Sequence, residues 1–174
     1  MIKTIYKIMK SFKNWFNENF DNVFMHPNRK RAVSVLDSSN GLVYKTKNPP
    51  IESLPEGATE ISNPHITLID PSEMQEFKKK IKELLEKDYP ELQDLPKPVF
   101  GRQVVITRHN GNQFVIADIS NQEDFHNYVS KIWRKLEVPN KERKYFYMTL
   151  ANNSNGDPLV LTGDITKRNF EEKS

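Results

Sequence analysis

What most narrows the folds open to this chain is a pattern that occurs twice. Asn63-Pro64-His65-Ile66-Thr67-Leu68-Ile69 is echoed far downstream by Tyr145-Phe146-Tyr147-Met148-Thr149-Leu150-Ala151. Each segment reads as a strand. Alternate side chains of a strand share a face, so His65 and Thr67 oppose Ile66 and Leu68, and Tyr147 and Thr149 oppose Phe146, Met148 and Leu150. Each strand thus has an oily face for a core and a polar face carrying X-x-Thr. A fold that buries both oily faces must be layered, with helices or a second sheet against the strands.

The segments around the echo supply those layers. Arg31–Leu36 and Leu42–Thr46 flank Ser38-Ser39-Asn40-Gly41 and read as a hairpin. A long irregular loop, 48–63, carries Pro49, Pro50 and Pro55 before Pro64 opens the first echo strand. Asp70-Pro71-Ser72-Glu73 has the chemistry of a helix start, with a cap, a proline at the first helical position and a glutamate reaching back. Met74, Phe77, Ile81, Leu84 and Leu85 give that helix its buried stripe, and Asp88-Tyr89-Pro90 stops it. After a connector marked by Pro96 and Pro98, Gln103–Thr107 and Gln113–Ala117 flank Asn110-Gly111, a strong hairpin signal. Ser120 and Glu123 read as a capping box for a helix burying Phe125, Val129, Ile132, Trp133 and Leu136. The second echo strand follows, then a turn-rich loop, 152–158, a short strand at Leu159–Leu161 and a frayed tail, 167–174.

The expected fold class is therefore α+β, bilobal, with two antiparallel β lobes, each with packed helices, around a central groove. With 174 residues and 36% apolar content, one such domain, 21–166, accounts for the chain. Residues 1–20 place Ile5, Ile8, Met9, Phe12, Trp15 and Phe16 at helical spacing between lysines, an amphipathic helix docked on the domain or, as the alternative, an anchor on a membrane surface. That stretch is not apolar enough for a signal peptide or a membrane span, and no run elsewhere is. Residues 21–30, with His26-Pro27-Asn28, read as a polar connector.

Cysteine is absent, which excludes disulfides, thiolate nucleophiles and thiolate-bound metals and fits a cytosolic setting. His26, His109 and His126 show no ligand spacing, so no metal site or other cofactor is assigned. The net charge of +3 conceals basic clusters at Lys3, Lys7, Lys10 and Lys13 and at Arg29-Lys30-Arg31, which suit either an anionic partner or an ordinary solvated surface.

Two polar strand faces brought together would suit phosphate chemistry. Cleavage of a phosphodiester profits from a base on one side of phosphorus and an acid on the other. Neutral imidazole, with an ordinary pKa of about 6.5, is a competent base. Threonine hydroxyls two positions along each strand can donate to the non-bridging oxygens, where charge grows in the transition state. A lone His-x-Thr is a weak signal; its pairing with Tyr-x-Thr strengthens it.

Pro64-His65-Ile66-Thr67-Leu68 together with Phe146-Tyr147-Met148-Thr149-Leu150 resembles the duplicated His-x-Thr/Ser motif of the two-histidine (2H, LigT-like) phosphoesterase superfamily. That resemblance implies a metal-independent phosphodiesterase acting on a cyclic nucleotide, a cyclic oligonucleotide signal or an RNA 2′,3′-cyclic phosphate. In a phage- or virus-type member it further implies a counter-defence role in the host cytoplasm. By the same resemblance His65, Thr67, Tyr147 and Thr149 hold the catalytic positions, with Tyr147 departing from the family's second histidine. A phenol with an ordinary pKa of about 10 donates a proton far more readily than it accepts one at neutral pH, so the base role goes to His65 and the donor role to Tyr147. Loss of one acid–base partner commonly costs about 10²- to 10⁴-fold in rate, so a nucleotide-sequestering protein of the same fold is the alternative. Tyr44 and Tyr145, with Trp133, are candidates for stacking a base, and Arg102, with Arg143 and Lys144, for meeting phosphate charge. A third possibility is an interaction module built on the N-terminal helix.

Overall fold

The computed structural model describes residues 23–25, 33–37, 41–87, 89–139, 141–153 and 163–172. Among these residues eight strands form one sheet: β1 (Val23–Met25), β2 (Val33–Asp37), β3 (Gly41–Lys45), β4 (Thr59–Glu60), β5 (His65–Ile69), β6 (Phe100–Thr107), β7 (Gln113–Ile119) and β8 (Tyr147–Asn152). Their order is β1-β2-β3-β5-β8-β7-β6, with β4 also paired to β8, and every pairing is antiparallel. The first half of the chain contributes one contiguous block of strands and the second half the other. They join where β5 meets β8, so among the described residues the sheet is continuous. The fold is α+β with an antiparallel sheet.

Among the described residues four helices accompany it: α1 (Pro71–Glu86), α2 (Pro90–Gln93), α3 (Gln122–Lys135) and α4 (Gly163–Glu171). The start of α1 follows the local chemistry, with Pro71 at its first position and the Glu73 carboxylate accepting the Asp70 N–H at 3.2 Å. The start of α3 does not. Asn121, not Ser120, is the cap residue; its side chain accepts from Val99 N–H at 2.8 Å and donates to the Lys97 carbonyl at 2.9 Å and to the Asp124 carboxylate in the first turn at 2.8 Å, with no side-chain bond to a helix N–H. Tertiary contacts to the preceding connector have replaced the local capping box.

The main core lies between one face of the sheet and helices α1 and α3. Ile66, Leu68, Met148, Leu150, Val115 and Ala117 meet Met74, Ile81, Leu84 and Leu85 from α1 and Phe125, Tyr128, Ile132 and Trp133 from α3. Phe125 sits at the centre, with ring centroids 5.9 Å from Tyr44 and 5.6 Å from Phe146. Tyr128 donates its hydroxyl to the Leu92 carbonyl at 2.9 Å, which pins the short α2 turn to α3.

The opposite face is covered at its β6–β7 end by α4. Phe170 is buried among Val104, Ile106, Phe114 and Ile116. This corrects the expected tail at 167–174: residues through Glu171 are helical because Phe170 has an apolar patch to fill. Two further differences are small. Val23–Met25 is a strand inside the expected polar connector, and Thr59–Glu60 is a strand inside the expected loop; both gain ladder hydrogen bonds from a neighbouring strand that local sequence does not reveal. The N-terminal helix at 1–20, His26, the turn at 38–40 and the short strand at 159–161 lie outside the described residues. Among those described, no helix is long and apolar enough to cross a membrane.

Candidate active site

The seam between β5 and β8 is built by an interruption. β4 pairs with β8 through Thr59↔Asn152 and Glu60↔Ala151, and the Ile61 N–H still donates to the Leu150 carbonyl at 2.8 Å. The ladder resumes at Ile66↔Met148. Residues 62–65 are therefore accommodated against Thr149 alone, a bulge that contains Pro64, which has no N–H to give a ladder. The bulge also orients His65. Its Nδ1 lies 3.0 Å from the Asn63 carbonyl oxygen, which can only accept, so Nδ1 is the donor of this bond.

The two echo strands show one alternation. Ile66 and Leu68 are fully buried, as are Met148 and Leu150 to within 2%, while His65, Thr67, Tyr147 and Thr149 between them are half-buried. The register Ile66↔Met148 sets His65 beside Thr149 and Thr67 beside Tyr147. All four belong to the sheet face opposite the main core, in a two-by-two block on adjacent strands that lie about 4.8 Å apart.

Neighbouring strands extend that block into two rows. Lys45 is paired with His65 and Val43 with Thr67 on the β3 side; Ile116 is paired with Thr149 and Asp118 with Tyr147 on the β7 side. The approach to Tyr147 is held by Gln122 at the start of α3. Its Nε2 donates to the carbonyls of Ile119 and Phe146, each at 2.7 Å, and its Oε1 accepts the Phe146 N–H at 2.8 Å. The side-chain amide thus replaces a ladder partner for the residue before Tyr147. Lys144 fastens the same segment to α1, its ammonium 2.6 Å from Asp70 and 3.0 Å from Glu73.

The remaining candidates fall elsewhere. Tyr44 is paired with Ile66, is only 3% exposed and packs on Phe125, so it belongs to the core on the other face and offers no stacking surface to this block. Trp133 is likewise a core residue. Tyr145 borders the block: its hydroxyl donates to Asp118 at 2.7 Å and its ring stacks on Phe170 at 5.9 Å. Burial, then the bond to Asp118, push its phenol well above the ordinary range, so it stays a donor. Arg102 turns to α4, its guanidinium donating to the Phe170 carbonyl. Arg143 is engaged by Glu123. Among the described residues no three His, Cys, Asp or Glu side chains gather as a metal-binding group.

Lys45, Asp118 and Gln122 were not singled out in the sequence. Lys45 and Asp118 lie towards the ends of strands whose preceding residues are buried on both faces, and which residue stands beside His65 or Tyr147 depends on inter-strand register. Gln122 carries no local signal, because its partners lie 3 and 24 residues away.

Fold and site together define an α+β protein in which two matched X-x-Thr strands stand side by side on one antiparallel sheet. Compared with family models, curated proteins and solved structures, the chain has no significant match.

Proposed function

We propose that the chain is a metal-independent phosphodiesterase-like protein of the two-histidine type, whose sheet works as two lobes meeting at the β5–β8 seam. Its substrate would be a cyclic nucleotide, a cyclic oligonucleotide signal or an RNA 2′,3′-cyclic phosphate. The single observation that carries this is the two-by-two block: strands far apart in sequence are neighbours at Ile66↔Met148, with His65, Thr67, Tyr147 and Thr149 on one face.

In this scheme Thr67 and Thr149 donate to the two non-bridging phosphate oxygens. Nε2 of His65 takes the proton of an attacking water as its oxygen bonds to phosphorus. The phosphorus–oxygen bond on the far side breaks, and Tyr147 protonates the departing oxygen. Nδ1–H of His65, held on the Asn63 carbonyl, keeps the ring in the tautomer that can accept. The phenol at the second titratable position favours one other reading, a site that holds such a nucleotide without cleaving it.

Incubation with cyclic oligonucleotides and 2′,3′-cyclic phosphates in EDTA, beside His65→Ala and Tyr147→His, separates the two. Cleavage that disappears in His65→Ala supports the enzyme. Tight binding with the nucleotide recovered intact, and cleavage gained by Tyr147→His, supports the sequestering protein. Neither binding nor cleavage across the panel rejects both.

A further inference from the structure

We infer that Lys45 anchors a second phosphate next to the one held by the two threonines, so that the ligand carries two phosphates in succession and lies with that second charge over β3. The inference rests on the phosphate site proposed for this face. Three observations lead to it. Lys45 is paired with His65 in the β3–β5 register, one strand spacing, about 4.8 Å, from the block. It is half-buried, and among the described residues no carboxylate lies within 4.0 Å of its ammonium. By contrast, Lys144, Arg143 and Lys135 are each engaged by an acidic side chain.

In the proposed scheme each charged or reacting oxygen at a single phosphodiester has a partner. The two non-bridging oxygens take Thr67 and Thr149, the departing oxygen takes Tyr147 and the attacking water takes His65. A charge one strand beyond His65 is surplus to that set, and the lysine stem lets it reach an adjacent phosphate of the same ligand. The other flank cannot do this. On β7, next to Tyr147, stands Asp118, and next to Thr149 stands Ile116, itself buried in the cluster under Phe170. The carboxylate repels a second phosphate there and the apolar patch offers it no donor, so within the two rows that contain the block the cation lies on the β3 side and the anion on the β7 side.

The experiment compares two probes with the same reacting end: adenosine 2′,3′-cyclic phosphate and the dinucleotide ApA ending in a 2′,3′-cyclic phosphate. Dissociation constants are read by NMR titration of the full chain and of Lys45→Gln, Lys45→Arg and Lys79→Gln, the last being an exposed lysine on α1. Lys45→Gln is expected to weaken the dinucleotide about tenfold, the scale of one charge-assisted hydrogen bond. It should also lower the slope of log K against log salt by roughly 0.7, one phosphate contact on a single strand. The mononucleotide should change less than twofold, Lys45→Arg should retain most of the affinity, and Lys79→Gln should behave as the parent. Equal weakening of both probes, or of neither, overturns the role of Lys45 while leaving the site itself standing. Failure of the parent to bind either probe overturns the site and this role with it. Retained amide spectra in Lys45→Gln separate lost contact from lost fold.

Discussion

Replacement of Gln122 tests how the seam is held. Gln122→Ala removes three hydrogen bonds, to the Phe146 N–H, the Phe146 carbonyl and the Ile119 carbonyl. At a net contribution of about 0.5–1.5 kcal/mol each, their combined loss spans roughly 1.5–4.5 kcal/mol. Gln122 is half-buried, so water can recover part of that, and about 2–3 kcal/mol is the expected cost. For a chain of this size the midpoint of thermal unfolding should fall by about 5–10 °C. Urea unfolding should show a lower midpoint with the slope unchanged. Gln122→Leu keeps the stem and none of the hydrogen bonds, so it should lose nearly as much as alanine. Gln122→Glu keeps the acceptor for the Phe146 N–H but sets a carboxylate against two carbonyl oxygens, and should be no more stable than alanine. A leucine variant within about 0.5 kcal/mol of the parent would refute the account, because the clamp would then be packing and not hydrogen bonding.

Other substitutions probe different parts of the fold. Gly41 has φ +74°, and a Cβ there would lie 1.9 Å from the Ile69 carbonyl oxygen, so Gly41→Ala should force β3 from β5 and cost more than about 2 kcal/mol in urea unfolding. Glu137, just past α3, has φ 58°, and Glu137→Gly should raise stability by about 0.5–1 kcal/mol by the same measurement. The pKa of His126 is depressed first by burial against Phe146 and then by Arg143. Its neutral form is therefore favoured on folding; that contribution is intact above the unfolded value of about 6.5 and is lost as pH falls through the depressed native one. His126→Gln should flatten the fall in stability between about pH 7 and 5, and an unchanged pH profile would count against it.

Secondary structure was legible where a local signal met no competing distant partner. The alternation in His65–Ile69 and Tyr147–Asn152, the Asn110-Gly111 reversal with Gly111 at φ +84° and the Pro71 start of α1 all stand in the structure. What misled was local chemistry that had a better distant offer. Asn121 binds the connector at Lys97–Val99, so Ser120 does not cap α3. Phe170 has a patch to bury, so the chain end is a helix. Tyr44 has the look of a stacking residue, but its place in the alternation points it at Phe125.

By itself, the sequence determined that two strands each carry one oily and one polar face, because a period of two is a property of the extended backbone alone. It also settled which side chains ride on each polar face. Only the tertiary structure decided that these strands are neighbours, that the register Ile66↔Met148 aligns their polar residues, and that Lys45 and Asp118 flank them. Pairing and register are set by burial of the whole apolar face and by the bulge at 62–65, energies shared across the sheet that no single segment contains.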